Sequence, residues 1–106
     1  MAQKPLTPEQ VVQANLDSYN QRDIDGFMLA FSEDIAIFTF PDAAPTTVGR
    51  EAVRQLYAGL FQRSPELHST IVNRITFDNK VIDHESIVGR NGSPDILELV
   101  LIYEVR

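Results

Sequence analysis

The chain has 106 residues, 43% apolar and 23% charged, with no cysteine and a formal net charge of -6. That length suits one domain around a single core, and the missing cysteines exclude disulfides, thiolate nucleophiles and Cys-based zinc or iron–sulfur sites. The acidic balance, with nine scattered Lys and Arg residues, argues against a nucleic-acid partner; the lack of any apolar run near the roughly 20 residues of a membrane span, or of an apolar leader in MAQKPLTPEQ, argues against a membrane partner and for a cytoplasmic location.

Thr7-Pro8-Glu9-Gln10 predicts a helix start, with Thr7 as cap, Pro8 at the first helical position and Gln10 placed to complete a capping box. The helix continues through Val11, Val12, Asn15, Leu16 and Tyr19 to about residues 20–22. A tight corner leads to a second helix, about Asp23 to Phe31, whose Ile24, Phe27, Met28 and Phe31 form one helical face. Glu33 and Asp34 read as corner residues. The β-branched and aromatic run Ile35 to Phe40 then predicts a strand. Residues 41–47 are turn-rich, and Gly49-Arg50-Glu51 opens a third helix with Val53, Leu56, Tyr57, Leu60 and Phe61 on one stripe. Ser64-Pro65 ends it. From His68 onward the spacing changes to three extended segments, roughly Ser69 to Phe77, Lys80 to Gly89 and Ile96 to Val105. Asp78-Asn79 and residues 89–94 supply the turns of an antiparallel meander.

This order, with the local words RDIDGFMLAFSED, VGREAV and LVLIYEVR, resembles the SnoaL-like branch of the nuclear transport factor two-like superfamily, to which ketosteroid isomerases and polyketide cyclases belong. The resemblance covers about Pro8 to Arg106. It implies an α+β fold in which three N-terminal helices pack on a curved, mainly antiparallel sheet to form an open cone with a central pocket. It also implies a further turn and strand after YEVR, where this sequence ends. Ketosteroid isomerase chemistry needs a carboxylate base at the end of the first strand, a tyrosine on helix one and a protonated acid on a late strand. Matched onto this chain, the base position falls on Thr39 or Phe40, the late acid on Leu101 and the helix-one tyrosine on Asn15 rather than Tyr19. Tyr57 alone matches, as a supporting hydroxyl on helix three. The resemblance thus implies the shape without that reaction.

Within such a pocket, strand alternation is read as placing His84 inward with Ile82, Ser86 and Val88, and Asp83 and Glu85 outward. An imidazole there is a candidate general acid or base, with Tyr57 as its catalytic companion; the plainer reading is a satisfied core or ligand-contact histidine. Asn15, Tyr19, Thr39, Ile82, Ser86, Leu99, Leu101 and Tyr103 complete the expected ligand contacts. Tyr103 also reads as an ordinary core tyrosine. Asp83-His84-Glu85 makes no metal site, since neighbours on a strand face opposite sides, and His68 reads as a surface residue. No cofactor is expected, as no phosphate loop or nucleophile motif is present. The opposite face of the last strand, Glu98, Val100, Ile102 and Glu104, predicts a homodimer through the outer sheet face. Three readings follow: a module binding a small apolar molecule; an isomerase, cyclase or hydratase using His84; and a non-catalytic dimeric assembly domain.

Overall fold

A computed structural model describes residues 6–38 and 44–106. The order is α1 (Pro8–Asn20), α2 (Ile24–Met28), β1 (Ala36–Ile37), β2 (Thr47–Val48), α3 (Arg50–Arg63), β3 (His68–Phe77), β4 (Lys80–Val88), a 3-10 turn (Arg90–Gly92) and β5 (Leu97–Glu104). The expected α+β class and the antiparallel meander are present. β3, β4 and β5 form one sheet, and β1 pairs with β2 in a second, small one.

Local chemistry explains the elements. Thr7 and Gln10 make the reciprocal capping box: Gln10 N donates to Thr7 Oγ1 at 3.2 Å, and Thr7 N donates to Gln10 Oε1 at 2.9 Å. Asp23 caps α2 through Gly26 N at 3.1 Å. That helix is shorter than its apolar spacing suggests. It stops at Met28, and Phe31 packs from the following turn. β1 is likewise shorter than the run from Ile35. Its partner β2 lies where turn residues lead into α3, held by Thr46, whose N and Oγ1 both donate to the Ile37 carbonyl.

The helices cover one side of the large sheet. Tyr19, Phe27, Met28, Val53, Leu60, Phe61, Leu67 and Ile87 form the core, with Tyr57 and Leu99 packed against it. Its aromatic rings meet edge-on or tilted, Phe27 lying 4.6 Å from Tyr57 and 5.6 Å from Phe61. Asn20 fastens α1 to the edge of the sheet. Its amide donates to the Ser69 carbonyl at 3.0 Å and its Oδ1 accepts from Ser69 N at 2.7 Å. Among the described residues no helix is long and apolar enough to cross a membrane.

Candidate functional site

Strand register decides which side chains reach the helices. Asp83 pairs with Leu101, Glu85 with Leu99 and Val81 with Tyr103, so the apolar face of β5 shares its side with the odd-numbered residues of β4. Val81, Asp83, Glu85 and Ile87 are buried there. The expected inward placement of Ile82, His84 and Ser86 is therefore corrected: all three lie on the outer face. His84 opposes Val100 and Ser86 opposes Glu98 across the strands, and His84 Nε2 meets Glu98 Oε1 at 3.1 Å with both side chains well exposed. The imidazole has no place among Tyr57, Leu99, Leu101 and Tyr103. The even-numbered residues of β4 are as apolar as the odd ones, so alternation alone gives no sign of which side faces in.

Two acids consequently occupy the helix-facing side, and each is accommodated differently. Arg74 on β3 holds Asp83 in a bidentate grip, Nε to Oδ1 at 2.6 Å and Nη2 to Oδ2 at 2.9 Å. Arg74 Nη1 also donates to Gln13 Oε1 on α1 at 2.9 Å, so the pair is saturated and ties helix to sheet. Glu85 is only half satisfied. Ser69 Oγ donates to its Oε1 at 2.6 Å, while the buried Oε2 has no partner within hydrogen-bond geometry. Burial pushes the Glu85 carboxyl above the ordinary carboxylate range, and the neighbouring Asp83 charge adds to this. The Ser69 hydrogen bond, the Arg74 charge and the approach of the Tyr103 hydroxyl all favour the anion but do not reverse the direction.

Three tyrosines on α1, α3 and β5 are shifted as well. Burial raises Tyr57, and raises Tyr103 well above the usual phenol range, while Tyr19 is pushed up to about 12. All three are therefore protonated hydrogen-bond donors at neutral pH. The Glu85 charge adds to the rise of each, with burial the larger cause. Leu99 and Leu101 lie half-buried on the same side.

Of the expected contacts, the fold thus gathers Tyr19, Tyr57, Leu99, Leu101 and Tyr103. Asn15 is buried but structural, its Nδ2 donating to the Phe27 carbonyl at 3.0 Å. Thr39 lies outside the described residues. Two open hollows, each of about 400 Å³, lie elsewhere: one is bordered by Pro65, Glu66, Val88 and Ser93, the other by Arg22, Ile24, Phe61 and Gln62. Among the described residues no three acidic or imidazole side chains gather as metal ligands would. Glu85 is the functional candidate that sequence reasoning missed. The signal was present: the two-residue turn Asp78-Asn79 sets Arg74 opposite Asp83, and opposite charges facing across a ladder mark the shared side.

The model of the SnoaL-like domain family matches residues 12–106. No curated protein sequence matches the chain. Among solved structures, an uncharacterised cystatin-fold protein from Novosphingobium aromaticivorans is 20% identical with a TM-score of 0.82, over 96% of this chain and 91% of that one. A candidate polyketide cyclase from Sinorhizobium meliloti is 14% identical, covering 91% and 84%, with a TM-score of 0.74. A protein of ketosteroid isomerase-like fold from Catenulispora acidiphila, in complex with trimethylamine, is 19% identical, covering 95% and 78%, with a TM-score of 0.71. At these identities the likeness shows the fold alone.

Proposed function

The chain belongs to the SnoaL-like domain family, and from that premise we propose that it binds a small, largely apolar molecule between α1, α3 and the sheet. One observation carries this reading: a carboxyl buried to 3% exposure with one oxygen lacking a hydrogen-bond partner, on the sheet side that also bears Leu99, Leu101 and Tyr103. An unsatisfied buried oxygen costs about 1–3 kcal/mol, which a ligand hydroxyl or amide could recover. A panel of small apolar alcohols, amides and ketones tests it by thermal shift. A ligand at one hundred times its Kd adds about 2.7 kcal/mol to stability. Glu85→Ala should weaken the polar members of the panel selectively; a panel that never stabilises the protein overturns the reading.

The same carboxyl favours a second reading, proton transfer. In that reading Glu85 as carboxylate takes a proton from carbon next to a ligand carbonyl, the C–H electrons move into the enolate, and Tyr57 or Tyr103 donates a hydrogen bond to its oxygen. Glu85 then returns the proton to another carbon, so no co-reactant is consumed. Turnover of enolisable ketones that is lost in Glu85→Gln and retained in His84→Ala supports it.

A second copy of the chain is the partner we assign to the outer sheet face. Support comes from Val72, Ile75, Phe77, Val100 and Ile102, all more than half exposed on the strands of one sheet.

A further inference from the structure

The strand register leaves the helix-facing side of the large sheet with an unequal set of charges. Of the residues that β3, β4 and β5 turn to that side, three carry charge: Arg74, Asp83 and Glu85. Arg74 does not serve both acids. Its Nε and Nη2 are taken by the two oxygens of Asp83, and its Nη1 donates to Gln13 Oε1 at 2.9 Å, with Glu9 Oε1 a further acid 4.0 Å from the same nitrogen. Glu85 is therefore the acid left without a cation.

Its one bonded neighbour is neutral and fixed in place. Ser69 Oγ donates to Oε1 at 2.6 Å, and the Ser69 backbone is held on both its N–H and its C=O by the Asn20 side chain. Turning the carboxyl over exchanges the two oxygens and still leaves one unbonded. Across the ladders Glu85 stands between Ile71 on β3 and Leu99 on β5, so its nearest partners in the sheet are apolar. A ligand hydroxyl or amide supplies the donor that Oε2 lacks, but no charge. An ammonium supplies both, an N–H in a charge-assisted bond and the positive charge that two acids and one arginine leave missing.

We infer that the molecule bound between α1, α3 and the sheet is a small apolar amine, held as its ammonium by Glu85 Oε2. This rests on the small-molecule reading above and narrows its ligand class. A second N–H of a primary amine would find an acceptor in the Tyr103 hydroxyl, which approaches the same carboxyl. The hydrocarbon body would lie against Ile71 and Leu99.

Benzylamine and benzyl alcohol, matched in shape and differing in charge, test it by titration into the ¹⁵N-labelled full chain at neutral pH. The amine is expected to bind about tenfold more tightly than the alcohol, as a charge-assisted bond predicts. Glu85→Gln keeps an oxygen for Ser69 and loses the charge, so it should bring the amine down to the alcohol's affinity and leave the alcohol nearly unchanged. In wild type the amine's advantage should also fade on acidification as Glu85 takes up a proton, Asp83, Arg74 and the Tyr103 hydroxyl being the ionisable groups that act on it. Equal binding of both probes to wild type overturns the amine assignment and leaves the small-molecule site standing. So does an advantage that survives Glu85→Gln, which is general attraction to an acidic chain. If neither probe shifts residues of α1, α3 or the inner sheet side, both readings fall together.

Discussion

At the level of single residues, Glu85 opposes the fold when it ionises. Its folded-state pKa lies above the ordinary value of 4.5, so between those two values the native chain holds a proton that the unfolded chain has released. Stability then falls as pH rises through that window and stays lowered above it. Glu85→Gln removes the charge while keeping an oxygen for Ser69. The variant should melt higher than wild type at pH 7.5, by about 4 °C or more for each kcal/mol relieved. The advantage should shrink on acidification and vanish below pH 4.5, where both forms of the glutamate are neutral. Melting curves across pH check this; a Gln variant no more stable than wild type at pH 7.5 contradicts it.

Among the elements, the Arg74–Asp83 grip joins α1, β3 and β4 through Gln13. Arg74→Ala leaves the Asp83 carboxylate, which has no exposure, without its partner, and should cost about 3–5 kcal/mol in denaturant unfolding. Helix starts and the meander were legible because they rest on local chemistry: Thr7 with Gln10, Asp23, the Val53-to-Phe61 stripe, and Asp78-Asn79. The facing of β4 was not legible in the same way. Each of its sides mixes two apolar residues with polar ones, so the choice is made by tertiary partners: Leu99, Leu101 and Tyr103 on β5, and Arg74 on β3. The candidate histidine falls outside for that reason, while Leu99, Leu101 and Tyr103 share the helix-facing side. β2 escaped notice because two residues give no periodicity to read.

For the whole molecule, the outer sheet face carries exposed Phe77 and Val100 beside the His84–Glu98 pair. In the dimer proposed above, Val100→Asp puts a charge at a side chain now 59% exposed on the outer sheet face. Sedimentation should show a twofold-heavier species for wild type and a single chain for the variant, with helix content unchanged; a wild-type monomer at high micromolar concentration removes the proposal. The Asn20 side chain sets a further condition on how copies can meet. By occupying the Ser69 N–H and C=O, it acts as a one-residue surrogate strand at the start of β3. An incoming strand cannot dock there without first evicting it. Strand addition is thus opposed at Ser69, where the backbone groups that a neighbouring copy would need are already taken.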